Sequence, residues 1–209
     1  GQVLSAFKRA AFAFHRRLAH GPRWLVRGYF ELVSLASRNL LPYGTSKRVR
    51  NSLCGYHHPW PELQFAARHV TLGKSVKVRL IPHIGEFDEE ALFARQLEHE
   101  PALFAWLEEQ ADSYDVIVEI GANVGVYSIF FDALARRRPP GARPHLVAYE
   151  PSAVAFRRLT QNLAVNGATV ECFQEAVGKE TGVLPFFEPF GRLTNGSIVR
   201  SFAEVFTDR

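Results

Sequence analysis

Methionine is missing from all 209 residues, and cysteine occurs only twice. A chain that begins at Gly1 without a methionine is expected to be a piece, or a processed form, of a longer protein. Cys54 and Cys172 stand far apart, which excludes a small disulfide scaffold; free buried thiols of a reducing compartment are expected, with a single disulfide between them left open. No charge-free apolar run approaches the roughly 18 residues that cross a bilayer, and no stretch resembles a secretion signal. A cytoplasmic chain is therefore expected, with contact at a membrane surface left open. Acid is scarce at one end: residues 1–50 hold ten Lys and Arg against Glu31 alone, a net of +9, while the remaining 15 basic and 20 acidic residues leave −5. The formal +4 combines a basic arm with an acidic body, and 47% hydrophobic residues suffice for one domain with an extension.

Within the arm, Leu4, Phe7, Ala11, Phe14 and Leu18 recur at steps of three and four, while Lys8, Arg9, Arg16 and Arg17 take other positions. The spacing predicts an amphipathic helix ended by Gly21 and Pro22, then a second helix from Trp24 to Leu40 stopped by Pro42 and Gly44. A basic amphipathic helix can lie on an anionic membrane or bind a protein partner, here through residues 1–45; equally, its apolar face can pack on the domain with its charges solvated. No nucleic-acid recognition module accompanies the charge, so no nucleic-acid partner is expected. Asn51 to Glu62, with its HHPWP run, reads as an irregular connector. His57 and His58 lack further ligands at metal-binding spacing, so no metal is expected. Val70 and Leu72, then Gly73 and Lys74, then Val76, Val78 and Leu80 predict a β-hairpin. Two helices follow, about 88–99 with Asp88 as cap and about 101–111 with Pro101 in its first turn.

The stretch DVIVEIGANVGVYS, Asp115 to Ser128, organises the rest. Val116, Ile117, Val118 and Ile120 predict a central parallel strand buried on both faces. Gly121 and Gly125 bracket Ala122, Asn123 and Val124, and Val126, Ile129, Phe130, Ala133 and Leu134 then repeat at helical period. A helix N-terminus with unpartnered amides behind a glycine turn suits a polar or anionic ligand group, and Glu119 adds a carboxylate suited to a cationic one. A ligand carrying both ammonium and carboxylate fits this better than a bare phosphate. A second strand, His145 to Tyr149, ends in Glu150, 25 residues after Gly125, where nucleotide-binding βαβ units carry an acid that binds ribose hydroxyls. The bland alternatives are turn glycines, Asn123 as a helix cap, and Glu150 as a solvated cap. A helix from Ser152 to Asn166 ended by Gly167, a third strand from Ala168 to Gln174, and extended or irregular Thr181 to Phe187 and Ser197 to Phe206 complete the reading.

EIGANVG followed by VAYEPS, LTQNLAVNG and EAVG resembles the S-adenosylmethionine-dependent methyltransferases, and among them the FkbM-type group, over about Asp115 to Ser197. Asn123, where GxGxxG would place a glycine, speaks against dinucleotide binding. The resemblance implies S-adenosylmethionine as cofactor, with Glu119, Gly121, Ala122, Asn123 and Gly125 at its methionine end, Glu150 and Pro151 at the ribose, and Glu175 and Ala176 at the adenine edge. It implies O-methylation of a sugar-like or other small polar acceptor. The acidic Glu-Gly-x-Glu stretch usual in that group is not found before Arg209, so no catalytic residue is assigned.

The expected fold is α/β, a Rossmann-like doubly wound parallel sheet truncated at its C-terminus, with an N-terminal helical extension and a β-hairpin. Its divisions are residues 1–50, a basic helical extension; 51–111, connector, hairpin and helical lead-in; and 112–209, the cofactor-binding half of a methyltransferase domain. A non-catalytic nucleotide-fold module docked through the basic arm is the alternative function.

Overall fold

A computed structural model describes residues 2–54, 60–188 and 196–205, and the chain divides into two compact units. The first takes in Gly1–Ala66 and Pro82–Ala94, the second Ala67–Ile81 and Arg95–Arg209.

Three helices build most of the first unit: α1 Gln2–Ala19, α2 Arg23–Asn39 and α3 Tyr43–Leu53. Helix α3 departs from the sequence reading, which ended helical structure at Pro42 and Gly44. Pro42 is instead the cap of α3, a position where its missing N–H costs nothing, and Gly44 sits in the first turn. The expected connector thus begins as helix through Leu53; its residues 55–59, with His57 and His58, lie outside the described residues. Val26 and Phe30 of α2 pack with Leu53, Leu63, Phe65, Leu92 and Phe93 in a common core. Helix α4, Glu90–Phe93, follows a 3-10 turn at Phe87–Glu89. The helix expected over 88–99 therefore stops at Phe93. Asp88 does not cap it: Asp88 accepts from the His83 amide at 2.9 Å and contacts the His83 ring at 2.7 Å. Arg38 of α2 donates to the carbonyls of Ala91 and Ala94, closing the end of α4 from another helix.

The second unit opens with the predicted hairpin, β1 Arg68–Leu72 and β2 Val76–Leu80, antiparallel with Val70 opposite Val78. Gly73 turns it at φ 57°, and a Cβ there would lie 3.2 Å from the Phe104 carbonyl oxygen. Residues 95–97 run extended beside β1, with Leu97 donating to the Thr71 carbonyl at 3.0 Å, so pairing along an open edge wins over the helical spacing there. Helix α5, Pro101–Gln110, follows.

A parallel sheet comes next, in the order β3 Val116–Ile120, β4 His145–Tyr149, β5 Glu171–Phe173, linked by α6 Val126–Ala135 and α7 Ala153–Asn166. Ser152 caps α7 by accepting from the Ala155 amide, and Gly167 ends it at φ 58°. This is a mixed α/β unit compatible with a Rossmann-like fold. The expectation that β3 is central and buried on both faces is corrected. Among the described residues β3 stands at the edge of the sheet, and Val116, Val118 and Ile120 are 57%, 53% and 65% exposed. The covered face is the one bearing Leu146 and Ala148, where α6 packs on β4 and on α7. Successive right-handed crossovers in one direction lay their helices on one face, leaving the other open. The reading of Ser197 to Phe206 as extended or irregular is corrected at Arg200–Glu204, which forms a short helix, α8, while Phe206 lies outside the described residues.

Candidate functional site

The site sits where β3 gives way to α6, at the carboxyl ends of the parallel strands, the place where open α/β sheets hold ligands. The turn is tied to the neighbouring strand: the amides of Gly121 and Ala122 both donate to the Tyr149 carbonyl, at 2.9 and 3.0 Å. Gly121 stands at φ 77° and Gly125, the cap of α6, at φ 82°. A Cβ on Gly125 would lie 2.4 Å from Leu159 Cδ1, so this glycine is what lets α7 close against the loop. A Cβ on Gly121 would meet nothing within 4 Å, so open space adjoins the turn there.

Glu150 is buried, and its carboxylate faces the loop. One oxygen accepts from the Asn123 amide at 2.7 Å, the other from the Ser152 amide at 2.8 Å. Burial raises its pKa against the pull of those two amides, with Glu188 adding to the rise. Asn123 holds φ 50°, and its side-chain oxygen is buried without a hydrogen-bond partner. It does not cap α6, whose cap is Gly125. Pro151 links Glu150 to the cap of α7.

Glu119 turns towards the first turn of α6, where the Ser128 hydroxyl donates to its carboxylate. Burial pushes its pKa up to about 7 against that hydroxyl and the Ser128 amide, with the charge of Glu150 contributing. The helix N-terminus that the sequence offers to an anionic ligand group thus already receives a carboxylate from the chain itself. Beyond it, Tyr127 stacks on Phe104 at 4.5 Å and donates its phenol proton to Glu100. Burial and that carboxylate raise the Tyr127 pKa, with Glu119 adding to the rise. Glu100 carries a strained φ of 45°. Glu175 and Ala176 follow β5 and are exposed.

The structure therefore gathers Glu119, Gly121, Ala122, Asn123, Gly125 and Glu150 around one turn, and leaves Glu175 and Ala176 on the chain beyond β5. Sequence reasoning missed Ser128, Tyr127, Glu100 and Asn162. Buried Asn162 on α7 donates to the Val124 carbonyl at 2.7 Å and accepts from the Ile81 amide at 2.9 Å, holding loop and hairpin together. The two asparagines of LTQNLAVNG were the available signal: Asn162 shares the inward face of α7 with Ala155, Leu159 and Leu163, and a polar residue on such a face, with a second one four residues on, calls for partners. Among the described residues no group of His, Cys, Asp and Glu is placed to hold a metal ion.

The class defined by this arrangement is an α/β unit with an acid-lined turn between a parallel strand and its helix. No protein-family model matches the chain, and no solved structure matches it. It is 35% identical over 71 residues to "Methyltransferase sdnD" of Sordaria araneosa, a stretch that makes up 33% of this chain and 25% of that protein. The chain thus spans about a quarter of the length of the curated relative it matches.

Proposed function

We propose that the second unit is the cofactor-binding half of an S-adenosylmethionine-dependent methyltransferase of FkbM type, transferring a methyl group to an oxygen of a sugar-like or other small polar acceptor. In this reading β3, β4 and β5 belong to a doubly wound Rossmann-like sheet, whose second layer of helices lies on the face that Val116, Val118 and Ile120 leave open. The observation that carries it is the joint placement of Glu119 and Glu150 on either side of one glycine turn, with open space at Gly121. The partial similarity to a methyltransferase supports it.

The residues present fit such a cofactor. Open space at Gly121 admits a ligand close to backbone, and the unpartnered oxygen of Asn123 offers an acceptor to an ammonium or hydroxyl group. Glu119 favours a cationic neighbour, while Glu150 keeps lone pairs for ribose hydroxyls beyond the two amides it serves. Glu175 and Ala176 take the adenine edge. When bound, the cofactor supplies an electrophilic methyl group on a sulfonium. The chain's part is to bind, align and exclude water, which for an in-line transfer is much of the rate enhancement. Free thiols at Cys54 and Cys172 support a reducing, cytoplasmic setting, and thiol titration of the unfolded chain that found both cysteines oxidised would count against it.

Calorimetry with S-adenosylhomocysteine tests the reading on the full chain. Glu150→Ala and Gly121→Val should each weaken binding by about tenfold or more, since one removes a charged acceptor and the other fills the open space. Unchanged affinity in both, with circular dichroism intact, would sink it.

A further inference from the structure

Helix α2 buries one side and exposes an apolar stripe on the other. Val26, Phe30, Ser34 and Ser37 are buried on one. On the other, Trp24, Leu32 and Leu35 are 74%, 70% and 63% exposed, with Leu25 beside them. At about 100° per residue these four fall within an arc of about 100°, opposite the buried one, so they form a stripe and not a scatter. The core already satisfies the helix, and the stripe contributes nothing to it. A continuous exposed stripe of this kind marks a surface that meets something apolar.

The charge of the same stretch of chain says what. Arg16, Arg17, Arg23, Arg27, Lys47 and Arg48 are exposed on the same three-helix stretch. Glu31 is the one acid between Gln2 and Leu53, and it lies 4.0 Å from Arg27. A second copy of this chain would set two strongly basic surfaces against each other, which like-charge repulsion opposes. A nucleic acid would satisfy the charges and leave Trp24 and the leucines in water. An anionic lipid surface satisfies both, with leucines and tryptophan at the acyl boundary and arginines at the headgroups. Among the described residues no helix is long and apolar enough to cross a membrane, so the mode is to lie on the surface. We propose that the Trp24, Leu25, Leu32 and Leu35 face of α2 docks this protein on anionic membranes. The face belongs to the first unit and the turn at Gly121 to the second, and its test does not depend on cofactor binding.

The test is co-sedimentation of the full chain with phosphatidylcholine vesicles, with and without about 30% phosphatidylserine. Binding should require the anionic lipid and weaken between about 0.1 M and about 0.5 M salt. It should also fall about tenfold or more in the Leu32→Gln/Leu35→Gln double variant and in Trp24→Ala. All three positions are exposed, so far-ultraviolet circular dichroism should match the parent. No binding, equal binding to neutral vesicles, or binding that both variants leave unchanged would overturn the proposal. So would a dimer in light scattering that these substitutions dissociate, which would give the face to a second copy.

Discussion

The Glu150 carboxylate holds the Asn123 amide at 2.7 Å, so the tip of β4 fixes the loop that leaves β3. Its other oxygen holds the Ser152 amide, one residue before α7 begins. A hydrogen bond to a charged acceptor contributes roughly 1.5 to 3 kcal/mol. Glu150→Ala should therefore lower unfolding stability by about 2 to 4 kcal/mol, read from the urea midpoint at constant slope. Glu150→Gln, which keeps one acceptor oxygen, should lose about half as much. A Glu150→Ala midpoint equal to that of the parent would show that the loop does not depend on this carboxylate.

Gly121 and Gly125 look alike in sequence and differ in what surrounds them. Both stand at positive φ, so alanine at either adds backbone strain of about 1 kcal/mol. At Gly125 the added methyl would also press on Leu159 Cδ1 at 2.4 Å, and overpacking adds about 1 to 3 kcal/mol. Gly125→Ala should therefore unfold at distinctly lower urea than Gly121→Ala. Combining it with Leu159→Val should recover part of the difference. Equal midpoints for the two alanine variants would contradict the packing of α7 on the loop.

What the chain sequence makes legible here is local. The hairpin around Gly73, α5 behind Pro101, the order of strand, turn and helix from Val116 to Ala135, and α7 between Ser152 and Gly167 all follow from short-range pattern. What escapes depends on neighbours. The run Val116 to Ile120 has the composition of a doubly covered strand, but composition does not report which face the helices of the following crossovers take. Residues 95–97 follow the free edge of β1, a partner more than twenty residues away. At the site, the order of acids and glycines is visible in the sequence. That Glu119 serves Ser128 and Glu150 serves Asn123 is not, because both pairings form only once β3, α6 and β4 are assembled.

Asn162 is fully buried and bonded at both ends of its amide, to the Ile81 amide and the Val124 carbonyl. Replacing it by leucine, close in volume, strands a buried donor and a buried acceptor, each costing about 1 to 3 kcal/mol. Asn162→Leu should lose about 2 to 4 kcal/mol. Exchange of the Ile81 amide should rise by more than that of amides within α7, as hydrogen-exchange mass spectrometry resolves. Asn166 makes the neighbouring pair with Arg79, accepting from its amide at 2.8 Å and donating to its carbonyl at 2.6 Å. Asn166→Ala should cost less, since it is more exposed to water. A larger loss at Asn166 than at Asn162 would contradict this ordering.

Burial pushes Glu119 to about 7 in the folded chain, from an ordinary value of 4.5. Between those values the folded state binds a proton that the unfolded state has released. Stability from this group is therefore full below about pH 4.5, falls as pH rises towards 7, and levels off above it. The difference corresponds to on the order of 3 kcal/mol. Glu89 in the first unit, pushed to about 7 chiefly by burial, contributes with the same sign. Glu119→Gln stays uncharged at every pH and keeps an acceptor for Ser128, so it should remove its own share of the slope. Urea midpoints at pH 5 and pH 8 measure this: the variant should match the parent at pH 5 and exceed it at pH 8. A variant that lost as much stability as the parent over this range would mean that Glu119 is ionised throughout, and hence better solvated than its place beneath the first turn of α6 implies.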